Sequence, residues 1–262
     1  MSLFDRPFDP DHDAALVTGA GNGIGRAIAQ ALVGEGVRTV FADVSDERVT
    51  TAIASSPRPE LAIAWVGDLS RREERDRLLK DATDALGTIT RFVHSASPPR
   101  READHILAVS DETWTAMREV NVDAGFELSR GLARALIGAK RPGSFLMVTS
   151  LHAGTPRNLP HYSASKAALT MVVKEFAKAL GRHGIRVNAL VPGAVAAGGF
   201  VADPSMVRHI PMGRMGKADD LAPMALATLS DRIGGYVTGA SVLVDGGMSL
   251  TNWFETPALD GV

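Results

Sequence analysis

The chain has no cysteine, which excludes disulfides, thiol nucleophiles and cysteine-ligated metal sites together. It has no long block of charge of one sign, and its formal net charge is only −2. Nothing in that balance asks for nucleic acid or an anionic membrane surface as partner. No apolar run reaches the length needed to span a bilayer. The opening Met1-Ser2-Leu3-Phe4-Asp5-Arg6-Pro7 lacks the basic start and apolar stretch of a signal peptide. No repeats, no dividing linker and no metal-ligand spacing are found. What remains is ordinary for a globular protein, with 45% hydrophobic and 22% charged residues in 262. That length can bury one large core. A cytoplasmic enzyme is the expectation.

Tyr162-Ser163-Ala164-Ser165-Lys166 is the stretch around which the chemistry gathers. A Tyr and a Lys four apart on a helix share one face. A cation there favours the phenolate and lowers the phenol's pKa, which makes a usable general acid/base. The same spacing also arises by chance on amphipathic helices, so its meaning depends on context.

That context begins with the apolar run Ala14–Thr18, which reads as a buried strand. Gly19-Ala20-Gly21-Asn22-Gly23-Ile24-Gly25 follows, and then a helical pattern over Arg26–Val33 that stops at Gly34. Strand, glycine turn and helix in this order suit a dinucleotide. Glycines allow close approach to a pyrophosphate, and the helix N-terminus offers free N–H groups. A second strand, Val37–Ala42, ends at Asp43. An acid there accepts hydrogen bonds from adenosine ribose hydroxyls and repels a 2′-phosphate. With Asn22 neutral, NAD is favoured over NADP. Arg38 and Arg48 are read as surface charges.

A helix near 46–54 and a strand near 61–66 lead to Asp68-Leu69, where Asp68 either meets adenine or caps the next helix. A charged helix near 70–86 and a strand near 90–95 follow. A long helix is then predicted over 111–139, with Asn121 in its middle needing either a kink or a functional reason. Strands over 143–150 and 185–191 flank the Tyr162 helix, which runs to about residue 181. Residues 194–210 read as a mobile lid. A helix near 217–230 and a strand at 241–244 close the pattern. Strands alternating with helices mean a parallel sheet of about seven strands covered on both faces, a doubly wound α/β fold of Rossmann type. The ligand crevice lies at the strand C-termini, where Gly19, Asp43, Asp68, Ser95, Ser150 and Pro192 fall. Residues 1–13 read as a tail, 14–248 as one domain and 249–262 as an extension.

In this order and spacing the chain resembles the short-chain dehydrogenase/reductase family over nearly everything from Ala14 to Met248. The carriers are Thr18–Gly25, Asp68-Leu69, Asn121, Ser150, Tyr162 with Lys166, Gly184–Asn188, Pro192-Gly193, Thr238-Gly239 and Val244–Gly247. The resemblance implies that Tyr162 is the general acid/base and that Ser150 holds the reacting oxygen. It implies that Lys166 holds the nicotinamide ribose and lowers the phenol's pKa, and that Asn121 keeps a water leading from Lys166 to bulk. Gly19, Asn22, Gly23, Ile24, Gly25, Asp43, Asp68, Leu69, Ser95, Ala96, Tyr162, Lys166, Pro192, Gly193 and Val195 would line the cofactor. It also implies a homotetramer, or a dimer, built through the helices around 111–139 and 160–182.

Three departures stand out. His94-Ser95-Ala96-Ser97 replaces the family's usual Asn-Asn-Ala-Gly. Ala197 stands where a Thr is frequent. The loop from Ser150 to Tyr162 is about one residue short, with Thr149 as a fallback for Ser150. Ser150-Leu151-His152 resembles a Ser-x-His found in members that oxidise sugars and hydroxy acids. The activity expected is NAD(H)-linked hydride transfer to or from a secondary alcohol or ketone. The alternatives are an NADPH-linked 3-oxoacyl thioester reductase, a cofactor-free lyase and a non-catalytic NAD-binding protein.

Arg100, Arg101, Arg157, His161, Arg208 and His209 form either a rim that greets an anion or a solvated surface. His94, His152 and His183 read as structural. Met206, Met212 and Met215 either line a pocket or simply pack. The terminal stretch with Trp253 and Phe254 is expected to pack on another subunit or near a neighbouring site.

Overall fold

The computed structural model describes residues 7–101, 104–197 and 207–250. Seven parallel strands form one sheet: β1 (Ala14–Thr18), β2 (Arg38–Asp43), β3 (Ala62–Val66), β4 (Arg91–His94), β5 (Gly143–Val148), β6 (Ile185–Pro192) and β7 (Ser241–Val244). Their spatial order is β3-β2-β1-β4-β5-β6-β7. The chain winds outward from β1 in one direction and then, from β4, in the other. The crevice between β1 and β4 is therefore the topological switch point at which such sheets bind ligands. This is the expected doubly wound fold.

Both faces of the sheet are covered, and the alternation of side chains along a strand shows how. Ala15 and Val17 of β1 pack with Leu32 of α1 (Gly23–Gly34), Val49 of α2 (Asp46–Ala54) and, from a later helix over Ala218–Leu229, Leu221 and Leu229. Leu16, between them, faces the other layer. There it joins Leu78 of α3 (Arg72–Leu86), Leu128 of a helix over Gly125–Gly138 and Val173 of a helix over Pro160–Leu180. β1, β5 and β6 are buried at every position, and they are correspondingly rich in apolar residues, with Ser144, Arg186 and Asn188 among the buried polar exceptions.

The helical stretch from 111 is not continuous. It consists of α4 (Asp111–Arg118), a π-helical segment (Glu119–Ala124) and α5 (Gly125–Gly138). A π turn takes up an extra residue within a helix and re-aims the side chains around it. Asn121 sits inside this segment and is fully buried, so the residue that looked out of place marks the irregularity. α6 (Pro160–Leu180) carries Tyr162 and Lys166, and its first turn accommodates Pro160 because that position needs no N–H. α7 (Ala218–Leu229) completes the first layer.

The expected tail is tied down over residues 7–13. Phe8 is buried in the core, the Ser230 hydroxyl donates to the Pro7 carbonyl, and Asp13 pairs with Arg91 at 2.9 Å. An aromatic and an acid with a buried partner anchor what composition alone marks as loose. Of the expected lid, Ala194–Ala197 are described, with Val195 bridged to Gly216. The rest of it up to residue 206, including Met206, lies outside the described residues, as do Trp253 and Phe254. Among the described residues no helix is long and apolar enough to cross a membrane.

Candidate active site

The turn between β1 and α1 is shaped by its glycines. A Cβ on Gly25 would stand 2.2 Å from the Gly19 carbonyl oxygen, and one on Gly19 would press on the Ala96 backbone at 2.7 Å. Both contacts are with backbone, which cannot swing away. Asn22 is the N-cap of α1, its side chain accepting from the Gly23 amide, and Ile24 packs against the core from the first turn. The first turns of α2, α3, α4 and α7 all carry acids, whereas that of α1 has none. No acid stands within its own first turn, so its free N–H groups suit an anionic ligand.

Asp43 ends β2 beside this turn. Its carboxylate accepts from the Gly21 amide at 3.1 Å and the Ser45 amide at 3.2 Å. Arg48 is not an idle surface charge, because it lies 3.6 Å from Asp43. Arg38 does point away, donating to the Ala85 carbonyl. Asp68 follows β3 and is exposed. It accepts from the Ser70 amide rather than capping α3, whose N-cap is Arg71. Leu69 is core, with its carbonyl engaged by Arg75.

His94, Ser95 and Ala96 cross the switch point as one network. His94 Nε2 faces the Val120 carbonyl at 3.0 Å, which can only accept, so Nε2 carries the hydrogen. Nδ1 then accepts from the Thr18 hydroxyl at 2.9 Å. The same hydroxyl oxygen accepts from the amides of Ser95 and Ala96. Burial lowers the His94 pKa to about 3, with Lys166 adding to the effect. The imidazole is therefore a neutral strut between β1, β4 and the π segment.

Tyr162 and Lys166 stand at the C-terminal edge of β5. Lys166 is buried, its Nζ donates to the Val148 carbonyl at 2.9 Å, and it lies 5.5 Å from the Tyr162 ring centre. Loss of hydration, and then the charge of Arg100, lower its pKa to about 7. Asn121 Nδ2 donates to Ser165 Oγ at 2.8 Å, and that hydroxyl donates to the Tyr162 carbonyl at 2.8 Å. Asn121 Oδ1 is buried without a hydrogen-bond partner among the described residues, which fits a polar atom reserved for a water.

Ser150 caps the turn Leu151–Ala153, and its Oγ accepts from the His152 amide. Thr149 is committed elsewhere, its hydroxyl donating to the Leu190 carbonyl, so the fallback reading loses its donor. At β6, Pro192 pairs with Val244, and the Gly193 amide donates to the Val244 carbonyl.

Two neighbours of Tyr162 were not assigned to it in sequence. His152 packs edge-on to its ring at 5.1 Å and sets Nδ1 3.2 Å from Ser163 Oγ. Burial, then Arg100 and Arg157, lower the His152 pKa to about 4. Arg100 lies with its guanidinium 4.4 Å from the Tyr162 ring centre. Only the Ser-x-His spacing and the arginines of the loop after β4 hinted at these contacts. His161, by contrast, is no rim cation. It is buried, its pKa is lowered by desolvation, and it faces Asp104 at 3.8 Å. Among the described residues no His, Cys, Asp and Glu cluster is placed to hold a metal ion.

The glycine cradle, the acid-free first turn of α1 and Asp43 together fit a nicotinamide dinucleotide: pyrophosphate at Gly19–Gly25, ribose at Asp43. A family model described as enoyl-(acyl carrier protein) reductase matches residues 19–249. A (3R)-3-hydroxyacyl-CoA dehydrogenase of Mus musculus is 33% identical over 249 residues, covering 89% of this chain and 95% of its own. A solved 3-ketoacyl-(acyl-carrier-protein) reductase from Brucella melitensis, complexed with NADH, has a TM-score of 0.85 at 29% identity, covering 91% of this chain and 98% of its own. A short-chain type dehydrogenase/reductase from Mycobacterium marinum has a TM-score of 0.87 at 26% identity, covering 96% and 100%.

Proposed function

Since this chain belongs to the short-chain dehydrogenase/reductase family, we propose that it interconverts a secondary alcohol and its ketone with a nicotinamide cofactor, NAD in preference to NADP. The observation that carries the reading is the buried Lys166 amino group, one helical turn from the Tyr162 phenol at the C-terminal edge of the sheet. The nicotinamide, when bound, supplies or accepts the hydride. The protein's own residues do the rest. Tyr162 gives its phenolic proton to the oxygen of a reduced ketone, or takes the hydroxyl proton of an alcohol being oxidised. Ser150 holds that oxygen with a hydroxyl hydrogen bond, so that the proton path is short. Lys166 keeps hydrogen-bond donors for the ribose beyond the one spent on Val148, and Asn121 holds the water through which it reaches solvent. Gly19, Asn22, Gly23, Ile24, Gly25, Asp43, Asp68, Ser95, Ala96, Pro192, Gly193 and Val195 hold the cofactor along the strand ends.

A second reading, reduction of a 3-oxoacyl thioester with NADPH, draws on Arg48. A guanidinium beside Asp43 is the counter-charge that a 2′-phosphate would need. Comparing NADH with NADPH on one substrate separates the two. A panel of sugars, polyols, hydroxy acids and secondary alcohols followed by NADH absorbance tests the main proposal; no cofactor-linked turnover on any of them would count against it.

The protein would work as a homo-oligomer, a tetramer by family resemblance. α5 and α6 carry an apolar hollow of about 390 Å³ lined by Phe126, Ala168, Met171, Val172, Glu175 and Phe176, on the helices expected to meet another subunit.

A further inference from the structure

Arg75 of α3 is buried, and each nitrogen of its guanidinium is engaged. Nε donates to the Leu69 carbonyl at 2.7 Å and Nη2 to the Ser70 carbonyl at 2.6 Å. Nη2 also reaches the Glu119 carbonyl at 3.3 Å, and Nη1 pairs with Glu127 of α5 at 3.2 Å. Leu69 and Ser70 follow Asp68 in the loop after β3, and Glu119 opens the π segment. A carbonyl oxygen has two lone pairs, so each can take a side-chain donor besides any backbone one. Glu119 is also the first of three successive residues held from outside their own helix. The Val120 carbonyl meets His94 Nε2 at 3.0 Å, and Asn121 Nδ2 donates to Ser165 Oγ at 2.8 Å. The loop after β3 and the start of the π segment therefore share one planar group, two residues from Asn121.

We propose that Arg75 is a positioning residue that ties occupancy of the adenine end of the crevice to the π segment, and through Asn121 to Tyr162. The proposal rests on the reading in which the loop after β3 meets the adenine of a bound dinucleotide. A ligand seated on Asp68 and Leu69 holds the carbonyls of Leu69 and Ser70 in one place. The guanidinium is a rigid fork, so fixing two of its partners fixes where the third must lie. Glu119 is then held, and Asn121 keeps its reach to Ser165, whose hydroxyl donates to the Tyr162 carbonyl. A plainer role, neutralising Glu127 between α3 and α5, needs only a charge. It leaves unexplained why three of the four hydrogen bonds go to backbone carbonyls, and to two separate segments.

Hydrogen exchange of the amides over 119–124 reads this coupling without any substrate. ADP is the probe, since it carries the adenosine and both phosphates but no nicotinamide, and its binding is followed by calorimetry. In the wild type, saturating ADP should slow exchange over 119–124 by about five-fold or more beyond any slowing over 132–138, the far end of α5. Arg75→Lys keeps a charge beside Glu127 but lacks the fork that spans both segments. It should still bind ADP and lose the extra protection. Glu127→Gln leaves the three carbonyl bonds in place and should keep it. Should the lysine variant not fold, Arg75→Gln combined with Glu127→Gln, which leaves no buried charge unpaired, takes its place. On a substrate from the panel above, kcat of the Arg75 variant should fall about ten-fold. ADP bound to the wild type without extra protection overturns the proposal while the cofactor reading stands. So does protection that survives in the Arg75 variant, an equal loss in Glu127→Gln, or an unchanged kcat. A wild type that binds neither ADP nor NADH overturns the cofactor reading and this proposal together.

Discussion

Asn121 and Ser165 are joined by a hydrogen bond of 2.8 Å, and the Ser165 hydroxyl passes the connection on to the Tyr162 carbonyl. The π segment between α4 and α5 is thereby hitched to the turn of α6 that presents the phenol. Without the extra residue that a π turn absorbs, Asn121 would sit elsewhere on the helix surface. The link between a backbone irregularity and the position of Tyr162 is one side chain long.

Replacing Asn121 with Ala removes the donor and leaves Ser165 with one partner fewer in a buried place. A loss of about 1–2 kcal/mol is expected, read as a lower thermal midpoint. Turnover should fall alongside, because Tyr162 loses part of its support. Unchanged melting and unchanged kcat would show that the link carries nothing.

Gly25→Ala should be damaging for a reason that can be stated in distance. The added Cβ would stand 2.2 Å from the Gly19 carbonyl oxygen, so the turn must open. Dinucleotide affinity, measured by fluorescence titration with NADH, should drop at least ten-fold, and the melting point should fall. Wild-type affinity in this variant would mean that the turn is not where the pyrophosphate lies.

His94 sets a direction for stability against pH. Its pKa is about 3 in the folded protein against an ordinary 6.5. Between those values the unfolded chain binds more protons, so stability falls as pH drops from 6.5 toward 3 and gains no slope from this group above 6.5. His152, at about 4, adds to the same fall between 6.5 and 4. His94→Asn, which removes the titrating ring, should show a shallower decline of thermal midpoint over this range than the wild type. An equal or steeper decline would contradict the assignment of a neutral buried imidazole.

Asp43→Asn should move cofactor choice toward NADPH, because it removes the charge facing the ribose and frees Arg48 from its 3.6 Å partner. The ratio of kcat/KM for NADPH to that for NADH is expected to rise about ten-fold or more, the size of one charge-assisted contact. A ratio that does not move would place the adenosine ribose away from Asp43.

The sheet was legible because its central strands are buried on both faces, so Ala14–Thr18 and the middle of Arg38–Asp43 stand out as short apolar runs. The glycine turn was legible because close backbone approach demands glycine, as at Gly19 and Gly25, and Asp43 was legible as the acid that ends β2. Phe8 was not, since one aromatic in an acidic, proline-bearing stretch carries no period. The π segment was visible only as an ill-placed Asn121. Arg100 and His152 were not assigned to Tyr162 because they arrive from loops, and loop paths follow from tertiary contacts that no spacing encodes. Asp68 illustrates the reverse, since its position was read correctly while its bond to Ser70 depends on one turn of backbone.

The central claim is that Tyr162 moves the proton. Substituting Tyr162 with Phe removes one oxygen from a buried ring and leaves the cofactor cradle in place. With NADH binding and thermal midpoint followed as controls, kcat on the best secondary alcohol should fall by roughly 10²–10⁴-fold while NADH still binds. Turnover within a few-fold of the wild type would contradict it.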